Sequence, residues 1–266
     1  MTRLGKYTPE FVLLGLVALL AIAGFWNTYF GESLRPTAYH HLHVIANFSW
    51  IFLLFWQLIL IGGNNYKTHR RMGLTILIAA PLLVASTALL SVYSANKGIT
   101  SGRGDPLMVQ NVAGTLELGF LILLAFVLRK RRKLHGSLLL STTLLFMGIA
   151  LFFTLSSFVP GFKVEGPETL YRFQKSGFAG AAIVFFIGVM FFIKDFRNGW
   201  PFLLAGSFLL LNEVVRSLLN KNGMYEPLTE LVGSMSQTFT FIGVFVFVSV
   251  SLAATGIIPY GRELLA

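Results

Sequence analysis

The sequence predicts an all-α, polytopic integral membrane protein with eight transmembrane helices and both termini in the cytoplasm. Of its 266 residues, 55% are hydrophobic and only 12% are charged, whereas a soluble domain carries about 25% charged residues. The apolar residues form runs near the ~20 residues that a helix needs to cross a ~30 Å hydrocarbon core. Strands of this length would leave their backbone unpaired in lipid, so the runs are predicted helices. We expect one transmembrane domain over residues 1–266.

Eight apolar runs lie along the chain. They cover residues 11–26, 42–61, 72–93, 107–128, 137–158, 178–193, 201–219 and 228–258. The first run also has the features of a secretory signal with a cleavage site at Ala21-Ile22-Ala23, but we expect it to be retained as a helix. The last run is long, so it is predicted to tilt or to begin outside the hydrocarbon core.

The basic residues predict the orientation. One set of segments holds Arg3, Lys6, Lys67, Arg70, Arg71, Arg129, Lys130, Arg131, Arg132, Lys133, Lys194, Arg197 and Arg262. The alternate segments hold Arg35, Lys97, Arg103, Lys163, Arg172, Lys175 and Lys221. The first set is richer, which predicts cytoplasmic termini in a bacterial inner membrane. The net charge of +10 is then explained by the lipid bilayer, and no nucleic-acid partner is expected.

All five histidines lie between residues 40 and 135. The predicted topology divides them into an outer triplet, His40, His41 and His43, and an inner pair, His69 and His135. About 26 residues of helix separate His43 from His69, which is most of the membrane thickness. One site that uses all five histidines is therefore excluded by the predicted topology.

Each group of histidines suggests a binding site. At the outer side, His40 and His43 could join a carboxylate, Glu213 or Glu230, in a two-histidine, one-carboxylate metal set. At the inner side, His69 and His135 could be axial ligands of a haem b, or could bind a transition metal with Asp195. The alternative is that the histidines are hydrogen-bonded or cationic groups among lipid head groups.

One face of the second helix carries an unusual series of polar and aromatic residues. They are His40, His43, Asn47, Trp50, Leu54 and Gln57, which helical spacing places on one stripe. Because polar groups are costly in lipid, the stripe should face protein or water. Either it forms a ligand or proton path from the outside, or Asn47 and Gln57 bond between helices while the histidines and Trp50 are interfacial.

Ionisable residues also fall within other predicted spans. Glu117 lies about ten residues into its run, roughly 15 Å deep, so it should be protonated, paired or hydrated. Glu213 and Arg216 have i, i+3 spacing and are predicted to form an ion pair. Glu230 is predicted to start the last helix, where a carboxylate suits the helix dipole. Gln237 follows it and adds polarity to the outer half.

A possible repeat links His69 and His135, which lie 66 residues apart. Each follows a basic turn before an apolar run, so residues 38–155 could be two repeated helical hairpins, followed by three further helices over 176–258. Parallel duplications occur in transporters, with sites at the repeat interface. The alternative is that any two inner hairpins share basic turns.

The order of residues in the first half resembles a known group of proteins. The chain has His43, Trp50 and Gln57, then His69-Arg70-Arg71-x-Gly73 and Pro81, and later Arg129 and His135. Over residues 38–155 this signature is similar to that of bacterial multi-helix membrane proteins of unknown function. That group implies no settled activity. It is loosely similar to b-type cytochrome membrane domains, although the histidines here are not mid-helix pairs.

Three functions follow as hypotheses. The leading one is a histidine-dependent redox or metal- or haem-binding membrane protein. The second is a proton-coupled transporter that uses Glu117, Glu213, Arg216 and the stripe of the second helix. The third is a non-catalytic assembly or scaffold subunit of a membrane complex, or a homo-oligomer. The absence of cysteine excludes disulfides and thiolate metal sites.

Overall fold

The computed structural model describes residues 3–31, 36–102 and 104–256, with side chains from Gly5 onward. Over these ranges the protein is helical and has no strand. The α-helices are α1 (Thr8–Gly24), α2 (Ala38–Gly62), α3 (Tyr66–Gly73), α4 (Ile76–Thr100), α5 (Met108–Val127), α6 (Arg132–Phe158), α7 (Tyr171–Lys194), α8 (Trp200–Lys221), α9 (Tyr225–Gly233) and α10 (Gln237–Ala254). Short 3-10 or π turns cover Arg3–Tyr7, Trp26–Phe30 and Pro167–Thr169.

Eight of these helices are long and apolar enough to cross a membrane, as the sequence predicts. They are α1, α2, α4, α5, α6, α7, α8 and α10. The other two, α3 and α9, have only 8 and 9 residues. At 1.5 Å per residue they are about 12–14 Å long, too short to span the hydrocarbon core.

The prediction of one long final helix over 228–258 is wrong. The chain forms α9, breaks after Gly233 and starts α10 at Gln237, while residues 257–258 lie outside the described part of the chain. Ser236 precedes α10, and its hydroxyl accepts a hydrogen bond from the Phe239 amide at 3.4 Å. This side chain offers the backbone a local partner that favours a new helix start. Glu230 therefore does not begin the membrane helix; it lies within α9 and is exposed.

Several other helix boundaries differ from the apolar runs. The run over 72–93 becomes two elements, because α3 ends at Gly73 and α4 begins at Ile76. Helix α4 continues beyond the end of its predicted run at residue 93 as far as Thr100, and α7 begins at Tyr171, before its predicted run at 178. Hydropathy reports the part of a helix that suits hydrocarbon, whereas backbone hydrogen bonding continues into the polar ends.

Helices α4 and α6 form the centre of the bundle. Helix α4 packs against α2, α5, α9 and α10, and α6 packs against α1, α5, α7 and α8. Small residues permit the close approaches: Gly24 lies against the Ala150 carbonyl, and Gly188 lies against the Phe202 carbonyl. Such glycines let helix backbones approach where a Cβ atom would clash. Packing is not confined to helices that follow one another in the chain, since α1 packs against α6 and α10 packs against α4.

Polar contacts show which segments share an end of the bundle. At one end Lys194 pairs with Glu10 at 2.6 Å, and the Arg129 guanidinium donates to the Thr255 carbonyl. At the other end the Tyr225 hydroxyl donates to the Asp105 carbonyl at 2.8 Å. The first end carries the described members of the richer basic set. Arg35, Arg103 and Arg262 lie outside the described residues, and only the backbone of Arg3 is described.

Candidate functional site

His43, Asn47 and Ser86 form a hydrogen-bonded cluster between α2 and α4, which we call the α2–α4 cluster. The Asn47 amide nitrogen lies 2.8 Å from His43 Nε2 and 3.0 Å from the His43 carbonyl. Because an amide nitrogen only donates, His43 Nε2 accepts, and its Nδ1 carries the proton. That Nδ1 donates to Ser86 Oγ at 3.3 Å, and the Ser86 hydroxyl donates to the Leu83 carbonyl. Both ring nitrogens of a neutral His43 are therefore used within the fold.

The other two outer histidines have local partners. His40 Nδ1 accepts from the Thr37 amide at 3.2 Å, and its ring lies edge-on to Tyr93. His41 is exposed, and its Nδ1 lies 2.6 Å from the Tyr29 hydroxyl. These contacts fix the N-terminus of α2.

The structure does not support the predicted outer metal site. Over the described residues, no three or more His, Cys, Asp or Glu side chains are grouped to hold a metal ion. His40 and His43 belong to α2, whereas Glu213 belongs to α8, which packs against α5, α6 and α7. Similar depth in the membrane does not make two helices neighbours, and this is why the predicted set fails to assemble.

The part of the α2 stripe from Trp50 to Gln57 faces protein, as expected. Trp50 is fully buried, and its indole donates to Thr142 Oγ1 on α6 at 3.0 Å, so it is not the interfacial residue of the alternative interpretation. Leu54 is also buried. Gln57 lies two turns beyond Trp50, and both polar atoms of its amide are buried without a partner among the described residues.

A second polar cluster joins α5 to α8, and we call it the α5–α8 network. It comprises Gln110, Glu117, Asn212, Glu213 and Arg216. Glu213 is buried, with its Oε1 2.5 Å from Gln110 Nε2 and its Oε2 2.6 Å from Arg216 Nη2. The spacing of Glu213 and Arg216 predicts this ion pair. The role of Gln110 was missed, because nothing in its apolar run indicates a partner on α8.

Glu117 occupies a different environment in the same network. It lies nine residues after Met108, near the middle of the 20-residue α5. Its Oε2 accepts a hydrogen bond from the buried Asn212 amide at 3.3 Å, and it forms no ion pair within the described ranges. Asn212 and Glu213 are consecutive on α8, so the same turn of α8 provides the Glu213 carboxyl group and the amide that donates to Glu117.

A small cavity adjoins the charged part of the network. It has a volume of about 30 Å³ and lies between α5, α6, α7 and α8. Gln110, Glu213 and Arg216 contribute its polar wall, and Phe152 and Leu209 contribute part of its apolar wall. Gln110 Oε1 is buried here with no partner among the described side chains. The cavity is large enough for water, and its wall offers the polar partners that a buried water needs.

Two further polar residues, Asp105 and Tyr225, lie at the end of this network that adjoins α9. Asp105 precedes α5 and is buried; burial raises the pKa of its carboxyl, while hydrogen bonds from Leu107 and Ser94 oppose the shift. Burial also raises the pKa of Tyr225 to about 12, and the charge of Asp105 acts in the same direction. No local pattern indicates this pair, because the two residues are 120 positions apart.

The inner histidines share one end of the bundle but have different settings. His135 lies in the first turns of α6, and its Nδ1 donates to the Ala125 carbonyl at 2.8 Å. His69 lies in α3, and its Nδ1 is buried without a partner among the described residues. Burial lowers the pKa of His69, and the charges of His135 and Arg70 add to that effect. The carboxylate of Asp195 accepts hydrogen bonds from its neighbour Asn198.

The hairpins of the possible repeat are not identical. The first contains the additional helix α3 between its long helices, whereas four residues connect α5 to α6 in the second. Gln237, the remaining predicted polar residue, is the first residue of α10 and is partly buried.

Comparison with known proteins identifies no relative of this chain. No protein-family model, no curated protein and no solved structure matches it. The resemblance of residues 38–155 to bacterial multi-helix membrane proteins therefore stays a prediction. The polar groups that the fold brings together are therefore the basis for inferring the function of this protein.

Proposed function

We propose that this protein is a proton-coupled transporter in which Glu117 carries the proton. The observation that supports the proposal is a carboxyl group at the middle of α5 whose hydrogen-bond partner is the neutral amide of Asn212. Ionisable groups inside a membrane are costly and mark proton or ion pathways. Glu117 can gain or lose a proton without breaking an ion pair, whereas the Glu213 carboxyl group is paired with Arg216.

The rest of the α5–α8 network suggests a route from the outer end to Glu117. Asp105 and Tyr225 lie at that end, followed by the ion pair of Glu213 and Arg216 with its cavity. Beyond Glu117, the sequence of α5 is apolar from Leu118 to Val127. Access to Glu117 is thus favoured from one side, and transport requires a second conformation that opens the other side.

The same proposal includes the membrane and the orientation. Eight apolar helices fit a lipid environment. The end of the bundle that carries Arg70, Arg71 and the basic turn before α6 would face the cytoplasm of a bacterial cell by the positive-inside rule. The outer end of the network would then open to the periplasm.

Glu117→Gln tests the proposal. The purified protein is reconstituted in vesicles, and currents driven by a pH gradient are recorded for a panel of amino acids, sugars, carboxylates and inorganic ions. We expect at least one solute to give a current that the wild type supports and Glu117→Gln abolishes. Glutamine keeps the size and the hydrogen-bonding capacity of the side chain but cannot release a proton.

Glu230→Gln is the matched control, because Glu230 is an exposed glutamate on α9. We expect this variant to keep the wild-type current. The proposal fails if no solute in the panel gives a current above that of empty vesicles, or if Glu117→Gln transports as well as the control at equal folded abundance.

A second candidate is the redox or haem-binding function at His69 and His135. One observation favours it: His135 Nδ1 donates to a backbone carbonyl, which is how ligating histidines are commonly oriented, and this leaves its Nε2 free to bind. An absorption spectrum and metal analysis of the purified protein test it. Absence of both a Soret band and stoichiometric iron, copper or zinc would eliminate this candidate.

A further inference from the structure

An apolar groove lies on the lipid-facing side of α2 and α4. Its volume is about 390 Å³. Leu53 and Trp56 line it from α2, Ala79 and Leu82 line it from α4, and Met72 lines it from α3. The aromatic side chains along its rim are accessible, with Phe52 63% and Trp56 39% exposed.

The length of the groove matches one leaflet of a bilayer. Along α2 the lining extends from Ala46 to Trp56, ten residues or about 15 Å at 1.5 Å per residue. One leaflet accounts for half of a ~30 Å hydrocarbon core, also about 15 Å. The groove therefore has the length and the apolar lining that suit a single acyl chain.

Three cations lie on the short helix α3, which also carries the groove residue Met72. Lys67, Arg70 and Arg71 share one face of α3, and all three are exposed. None of them forms an ion pair with a described residue. Arg71 directly precedes Met72, so the short helix α3 holds its cations close to the groove lining. Unpaired cations near a membrane surface attract anionic head groups.

We propose that this surface binds an anionic phospholipid, with one acyl chain in the α2–α4 groove and its phosphate at Lys67, Arg70 and Arg71. The short helix α3 carries both the three cations and the groove residue Met72, and it thereby joins the two parts of the site. The inference depends on the proposed membrane insertion of the protein but not on proton coupling, so loss of transport in Glu117→Gln does not bear on it.

Quenching of Trp56 fluorescence by brominated lipid tests the proposal. Full-length protein is reconstituted in vesicles of phosphatidylcholine that contain brominated phosphatidylglycerol, and the site signal is the quenching that Trp56→Phe removes. We expect phosphatidylglycerol to bind at least tenfold more strongly than brominated phosphatidylcholine. The combined variant Lys67→Gln/Arg70→Gln/Arg71→Gln should lose this preference, since exposed cations near the surface attract the anionic head group.

Two further variants separate the parts of the site. Ser49→Phe fills the groove and should reduce quenching by both lipids. The matched charge control is Lys130→Gln/Arg131→Gln/Arg132→Gln, which removes three exposed cations from the same end of the bundle and should leave the preference intact. Equal quenching by the two lipids, equal loss of preference in both charge variants, or protection of Trp56 by a second copy of the chain would each overturn the proposal.

Discussion

The α2–α4 cluster and the α5–α8 network both place polar groups inside apolar helices, but they differ in how fully those groups are satisfied. In the α2–α4 cluster, both ring nitrogens of a neutral His43 have partners on α2 or α4. In the α5–α8 network, the ionisable side chains of Glu213 and Arg216 line a cavity, and Gln110 retains a buried acceptor without a described partner. A polar group whose hydrogen bonds are all formed within the fold indicates a structural role. A buried polar atom that still lacks a hydrogen-bond partner indicates a place where a proton or a ligand can be exchanged.

The largest effect on stability is expected for Arg216→Gln. This change leaves the Glu213 carboxylate buried without its cation, which costs about 3–5 kcal/mol of unfolding free energy. The double variant Glu213→Gln/Arg216→Gln should recover most of that loss, because no buried charge remains. Unfolding in detergent measures both.

The control for this prediction is Lys221→Gln, which removes an exposed cation from the end of the same helix. It should be close to wild type. Equal destabilisation in the single and double variants would show that Arg216 stabilises the fold through packing. It would also show that an unpaired buried charge is not what makes the α5–α8 network more sensitive than the α2–α4 cluster.

A smaller loss is expected for His43→Leu. The substitution removes the link from α2 to Ser86 and takes one acceptor from Asn47, at a cost of about 1–3 kcal/mol. Because we assign this cluster a structural role, transport by the folded fraction should be unchanged. Loss of transport without loss of stability would show that the α2–α4 cluster takes part in transport and is not only structural.

The smallest effect is expected for His69→Gln and depends on pH. The pKa of His69 in the folded protein lies below its ordinary value of 6.5, so the folded state favours the neutral ring. Its contribution is fully present above pH 6.5 and is lost as the pH falls below that value. Lowering the pH should therefore reduce the melting temperature of the wild type more steeply than that of His69→Gln, as measured by thermal unfolding.

The comparison for this pH series is His41→Gln, since His41 is exposed at the other end of the bundle. That variant should follow the wild-type pH dependence. If His69→Gln follows it too, burial of the His69 ring does not contribute to acid sensitivity.

Much of the fold could be predicted because it depends on local properties. Each of the eight long helices corresponds to an apolar run near the thickness of a membrane. Helices α3 and α9 are not predicted, because a helix of 8 or 9 residues needs no long apolar run. The break before Gln237 is not predicted either, because the predicted run over 228–258 continues through the polar residues Ser234 and Ser236, where the Ser236 side chain starts a new helix.

The candidate site was only partly predictable. Glu213 and Arg216 were paired correctly, since residues three apart on a helix are neighbours. Glu117 and Asn212 are 95 residues apart, and Gln110 and Glu213 are 103 apart, so no local pattern could pair them. The predicted metal set of His40, His43 and Glu213 failed for the same reason, because it considered depth but not which helices are adjacent.

The sequence by itself therefore determined the helical class, the number of long apolar helices and which side chains carry charge into them. Helices in lipid satisfy their backbone hydrogen bonds locally, and the bilayer sets their length, so both can be predicted from runs of residues. Only the tertiary structure decided that α8 contacts α5, which gives Glu213 a fixed cation and Glu117 a neutral partner. Helix surfaces of similar hydropathy do not specify their neighbours; close packing of small residues and long-range side-chain bonds do.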